Sequence, residues 1–284
     1  GVVYRREFGV VKDVARAAAL YQKACDGGMM AGCHNLAFLY LTGGLDNPFA
    51  LLIVAPVTIG ATVLGLRSTA ILVGDLLFGT ASDIVADLGP DAVKIQAQTF
   101  IRLCSGQIRD DRPCPAGTDP VEYYLGVLAD KTGVLIATAA RYGAMFSGGD
   151  EETIETMREF GERLGVAFQL ADDLIDIESD ADETGKTPGT DLREGKRTLP
   201  VLHVLASTDP ADARLQALLT GDLSDDDRLA EALTLLRAHP AMDLAREHTY
   251  AVARRAQDVL TALPDSDAKD ALNALATGVV TRVG

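Results

Sequence analysis

The feature that most constrains this chain is its periodicity. From about Arg67 onward apolar residues recur at i, i+3 and i+4, short Gly, Pro and Asp loops separate the segments, and no alternating strand pattern appears. A chain written this way buries its apolar stripes helix against helix. Helices are expected at about 68–88, 90–109, 120–146, 150–178, 197–206, 210–220, 225–238, 241–262 and 266–281. The punctuation agrees. In "TDPVEYY" Asp119 can cap, Pro120 suits the first helical position, and Glu122 lies in the first turn, where the helix dipole favours a negative charge. "TDPADARLQALL" repeats the device at Asp209 and Pro210.

The N-terminal part reads differently. Over residues 9–44, small and apolar residues keep helical spacing on both sides of Gly27 and Gly28, which describes a helical hairpin. After it, "PFALLIVAPVTIGATVLGL", Pro48 to Leu66, carries no charge and is long enough for a marginal membrane span, but its Pro, Gly and Thr content argues against one. With 284 residues and 48% hydrophobic content, the chain can build a substantial core in one large or two modest domains. Its net charge of −15, without a basic patch, excludes nonspecific nucleic-acid binding. An acidic protein that handles an anionic substrate needs metal ions or a few placed cations. Cys25, Cys33, Cys104 and Cys114 make neither a disulfide framework nor a zinc site, and no signal peptide is visible, so a cytoplasmic setting is expected.

One stretch asks for chemistry. In "FQLADDLIDIESD", Phe168 to Asp180, carboxylates interrupt a strongly apolar helix. Asp172 and Asp176 lie one turn apart on one face, with Asp173 beside them. Like charges so close repel unless a cation shares them, and a hard divalent ion such as magnesium takes oxygen ligands and bridges carboxylates to phosphate. A solvated acidic face near a helix end is the plainer alternative. Lys131 in mid-helix is by itself an ordinary snorkelling lysine, and Gln169 requires a partner, either a ligand or a neighbouring helix.

The text around these residues closely resembles the trans-isoprenyl diphosphate synthases, or polyprenyl synthetases. "FQLADDLID" with "ESDADETGKTPGTDLREGKRTLPVLHVL" is similar to the family's second aspartate-rich region. "LVGDLLFGTAS", "SGQIRD" and "LADKTGVLIATAARYGAM" match earlier helices in order, covering about three quarters of the chain. The resemblance implies an all-α isoprenoid-synthase helical bundle that joins isopentenyl diphosphate to an allylic diphosphate. It implies magnesium on Asp172, Asp173 and Asp176, and diphosphate on Lys131 and Lys186. It places Thr132 and Gln169 beside the carbocation, gives Gln107 a part in substrate placement, and implies a homodimer. The hairpin resembles one Sel-one-like repeat of the tetratricopeptide class, whose cysteine-containing version bridges the positions of Cys25 and Cys33. It implies a protein partner, although solenoids need roughly three repeats or more to bury a continuous core.

The expected domains are therefore the repeat at 1–44, an apolar junction at 45–66 and a synthase-like domain at 67–284. The chain departs from the family's pattern at one place. No acidic residue stands between Asp46 and Asp75, where the first aspartate-rich motif belongs, and a site without it is expected to be slow or inactive. A natural fusion, an artificially joined reading frame and a heteromer whose partner supplies the aspartates all remain open, with a junction near Asn47 preferred. A noncatalytic scaffold or regulatory subunit that acts through protein interaction is the alternative function.

Overall fold

The computed structural model describes residues 66–178 and 188–281. The hairpin expected at 9–44, most of the apolar segment 48–66, both expected domain junctions' N-terminal sides, Cys25, Cys33 and Lys186 lie outside the described residues. The described part is all-helical, as the periodicity requires. The chain divides into two compact units, Gly1–Val93 and Lys94–Gly284. Of the first, the described helix is α1 (Leu66–Ala86), which displays Ile71, Leu72, Leu77, Phe78 and Ile84 on its exposed surface. Helix α2 (Pro90–Asp110) begins at the end of this unit and continues in the second.

The second unit follows with α3 (Pro120–Leu128), a π-helical turn (Ala129–Gly133), α4 (Val134–Phe146) and α5 (Glu151–Glu178). Then come a single turn α6 (Thr190–Arg193), α7 (Leu199–Ala206), a 3₁₀ turn at Pro210–Asp212 and α8 (Ala213–Leu219). Helices α9 (Asp226–Arg237), α10 (Pro240–Val259) and α11 (Asp267–Val280) complete it. The caps lie where the sequence puts them. Glu122 N donates to Asp119 Oδ1 at 2.8 Å, and Ala211 N donates to Asp209 Oδ1 at 2.9 Å.

Helix α5, 28 residues and therefore about 42 Å long, is the axis of the core. One side packs on α4 and the π turn, another on α10. Its Phe160, Leu164, Leu170, Leu174 and Ile177 are buried, and with Leu199, Val201, Leu236, Met242 and Leu260 they form one continuous apolar cluster. Towards α4 the packing is set by absent side chains. A Cβ on Gly161 would stand 2.7 Å from Ala137 Cα, and one on Gly165 would stand 2.7 Å from Gly133 Cα, both inside hard contact. Helix α2 meets the π turn in the same way, because a Cβ on Gly106 would lie 2.7 Å from Lys131 N. Two helix backbones thus press on the segment Ala129–Gly133 from opposite flanks, and there the expected helix 120–146 widens into a π turn.

Candidate active site

The π turn carries Asp130, Lys131 and Thr132, and single π turns of this kind recur at functional sites. Asp130 is clamped between two arginines of α2. Arg102 Nε donates to its Oδ1 at 3.0 Å and Arg109 Nη1 to its Oδ2 at 2.8 Å. Arg102 also pairs with Glu162 at 2.6 Å, and Glu162 with Arg158 at 2.7 Å. Burial alone would raise the Glu162 carboxyl, but these two guanidinium groups hold it below the usual carboxylate range. Arg109 lies over the Tyr123 ring at 4.9 Å, and the Tyr123 hydroxyl donates to the Arg109 carbonyl at 3.0 Å, which fixes the end of α2 against α3. Lys131 Nζ meets Asp110 Oδ2 at 2.7 Å.

The carboxylates of α5, expected to act as one set, do different work. Asp173 faces inward and is 6% exposed. Tyr124 donates its hydroxyl to Asp173 Oδ2, and Gln169 Nε2 donates to Asp173 Oδ1 at 3.0 Å. Gln169 Oε1 in turn accepts the Thr132 hydroxyl at 3.1 Å. Burial pushes the Asp173 carboxyl up to about 7, against the two donors that favour its ionised form, and the charges of Asp191 and Asp172 add to the rise. Burial likewise raises the Tyr124 phenol well above its ordinary value, with the Asp173 charge as a further cause. Asp176 receives the backbone N–H of Thr190 at 3.3 Å and of Asp191 at 3.1 Å, and its own carbonyl accepts from Gly189 at 2.8 Å. Gly189 adopts φ +74°, a left-handed conformation that lets the returning chain lie on the end of α5. Asp172 is half-buried one turn before Asp176. Among the described residues no three acidic, histidine or cysteine side chains are gathered closely enough to hold a metal together.

A cavity of about 510 Å³ opens beside this network, within the usual range for small-ligand pockets. Lys131, Gln169 and Asp173 line it, so three of the expected residues come together, and Thr132 joins them by its hydrogen bond to Gln169. Gln107 is exposed and does not line it. Several lining residues lie outside the expected set: Arg109, Arg112, Tyr124, Lys196, Arg197 and Thr198. Tyr124 stands seven positions before Lys131, a spacing that puts two residues of a regular helix on one face, but its partner Asp173 is 49 positions away. Lys196 and Arg197 are exposed and form part of the wall. Burial opposes the Lys196 charge, yet hydrogen bonds to Glu194 and Asp191 outweigh it and raise the ammonium above its ordinary value. Thr198 is 3% exposed and its hydroxyl, at the start of α7, has no hydrogen-bond partner.

The described residues thus form an all-helical unit with a pocket of mixed cationic and acidic lining towards one end of its central helix. Residues 61–236 match the polyprenyl synthetase family, and the chain belongs to it. It is 49% identical over 218 residues to the nonaprenyl diphosphate synthase of Mycobacterium tuberculosis, covering 77% of this chain and 65% of that protein. It is 39% identical to the dimethylallyltranstransferase of the same organism, covering 72% of this chain and 62% of that protein. The chain thus spans a little under two thirds of these relatives. The geranylgeranyl pyrophosphate synthase of Corynebacterium glutamicum, solved with calcium and isoprenyl diphosphate, superposes with a TM-score of 0.71 at 41% identity, covering 89% of this chain and 78% of that one. No described helix is long and apolar enough to cross a membrane.

Proposed function

We propose that this protein joins isopentenyl diphosphate to an allylic diphosphate by trans-prenyl transfer. The observation that carries the reading is the cavity beside the π turn. In a protein of net charge −15, its wall brings Arg109, Arg112, Lys131, Lys196 and Arg197 together beside as many carboxylates, and Thr198, whose hydroxyl is buried and unpartnered, also lines it. That arrangement suits the several oxygens of a diphosphate. Family membership and the activities named for the relatives favour this reading over a noncatalytic scaffold.

Asp172 and Asp176 are hard oxygen donors one turn apart, the chemistry magnesium accepts, whereas Asp173 is committed to Tyr124 and Gln169 and fits a supporting layer. Asp172 and Asp176 would hold magnesium, which when bound offsets the charge on the departing diphosphate. Lys131 supplies a fixed cation to the same oxygens, and the family resemblance gives Lys186 the same task. To do so Lys131 exchanges its ion pair with Asp110 for one with phosphate. Thr132 and Gln169 set their oxygens near the allylic carbon as it becomes cationic, while Val127, Leu128 and Leu202 in the cavity wall keep water from quenching it. The remaining proton leaves to a phosphate oxygen or to solvent at the cavity mouth.

Purified protein is incubated with isopentenyl diphosphate, geranyl or farnesyl diphosphate and magnesium, and prenyl products are extracted. Product that disappears in Asp172→Ala is expected, and a folded wild-type protein that makes none overturns the reading. The same proposal includes a homodimer, checked by sedimentation, and a protein partner for the Sel-one-like segment at 9–44.

A further inference from the structure

Four side chains from distant parts of the sequence form one hydrogen-bonded line: Tyr124 on α3, Asp173 and Gln169 on α5, and Thr132 in the π turn. The direction of each bond matters more than its length. Asp173 takes the Tyr124 O–H on one oxygen and the Gln169 N–H on the other, the arrangement of a carboxylate that only accepts. A glutamine amide has a donating and an accepting end. With its nitrogen committed to Asp173, its oxygen is the end that meets Thr132, and the Thr132 proton is then spent on Gln169. The result presents oxygen lone pairs on both Thr132 and Gln169. Had the amide been reversed, an N–H₂ group would stand in their place and repel a developing cation.

What keeps the line in this order is its far end. Tyr124 packs against the apolar core that Leu199, the first residue of α7, helps to form, so the phenol is held in place as it donates to Asp173. Asp173 is therefore gripped on one oxygen by Tyr124 and on the other by Gln169.

We propose that Tyr124 is a positioning residue, which holds Asp173 from the α7 side and thereby fixes the Gln169 amide with its oxygen towards Thr132. The inference rests on the transferase reading for its effect on rate, but its geometric content can be tested without turnover. In ¹H–¹⁵N spectra of the full chain, with the Gln169 side-chain amide assigned by its loss in Gln169→Leu, Tyr124→Phe is expected to speed exchange of that amide about tenfold, the equivalent of one lost hydrogen bond. Unchanged exchange in Tyr124→Phe overturns the proposal whatever the activity. Asp173→Asn gives a second route, since asparagine can accept from Tyr124 and donate to Gln169 and so reverse the amide, moving its resonance even though the fold is retained.

Turnover supplies the split that a merely structural tyrosine would not produce. Tyr124→Phe is expected to lower kcat about tenfold with KM for isopentenyl diphosphate unchanged. In a Gln169→Leu background it should lower kcat no further, and an additive loss in the double variant overturns the route through Gln169. A wild-type protein that makes no product condemns the transferase reading, while the amide exchange still decides the role of Tyr124.

Discussion

Asp173 lines the cavity and Asp130 directly precedes Lys131 in its wall, and the protein accommodates these two carboxylates in opposite ways. Asp130 is met by two guanidinium groups and keeps 21% of its side-chain surface in water. Asp173 is almost sealed and is met by a phenol and an amide. A cation partner settles a carboxylate's charge and tolerates some misplacement, because Coulomb attraction varies slowly with angle. Neutral donors settle direction. The clamp at Asp130 therefore fastens α2 to the π turn, whereas the arrangement at Asp173 orients other side chains and keeps a group that still exchanges protons near neutrality.

The largest effect that separates the two is on the pH dependence of stability. Because burial raises Asp173 above its unfolded value, the native state binds more protons than the unfolded state between about pH 4 and about pH 7, and stability falls as pH rises through that window. Urea melts of wild type and Asp173→Asn at about pH 4.5 and about pH 8 should show wild type losing more stability, by an amount on the order of a few kcal/mol. Glu155 and Glu162, held low by their arginines, act in the reverse sense but are common to both proteins and cancel in the difference. Equal slopes for the two proteins would mean that Asp173 carries no proton in this range.

A somewhat smaller effect is expected from Gly106→Val, which drives a side chain into the backbone of Asp130 and Lys131. It should cost about 2–3 kcal/mol in urea denaturation, the range for overpacking a close contact. It should also weaken inorganic pyrophosphate binding measured by calorimetry, since Lys131 moves with the π turn. Asp130→Asn is the mildest of the three. Its arginines are more than a third exposed, so water screens the pairs and the expected loss is about 1 kcal/mol, shrinking as salt is added. A loss that persists in high salt would show that Asp130 acts by geometry, as Asp173 does, and would dissolve the contrast.

Much of the architecture was legible because caps and breaks are local. Asp119 with Pro120 and Asp209 with Pro210 mark their helix starts in the structure as in the sequence. The π turn was not, since "VLADKTGV" keeps ordinary helical periodicity and the widening coincides with close approaches at Gly106 and Gly165, residues 24 or more positions from Lys131 in one case and from Gly133 in the other. The sequence names Lys131, Gln169 and Asp173, which line one cavity in the structure, but not the different surroundings of Asp173 and Asp176. Spacing correctly puts Asp172 and Asp176 one turn apart, yet a residue next to Asp172 points about 100° away, and here that direction leads to the core. The tyrosine that receives Asp173 lies 49 positions earlier, beyond any helical rule. Lys196 and Arg197 lie outside any helical pattern, and only the packing of α7 reveals the cavity they border.

The π turn also sets a limit on how this gene can vary in length. A π turn holds about one residue more per turn than an α-helix, so the segments before and after it are out of phase with an unbroken helix. Deleting one residue between Ala129 and Gly133 would restore a regular α-helix of better hydrogen bonding, and the chain would tolerate it locally. Because four α-helical residues turn the chain through nearly the same angle as the five of a π turn, everything that follows would keep its phase, and Val134 and Ala137 would stay on the face that meets α5. For this stretch a one-codon deletion thus spares the packing and strikes the site, because it removes one of the positions that carry Asp130, Lys131 and Thr132.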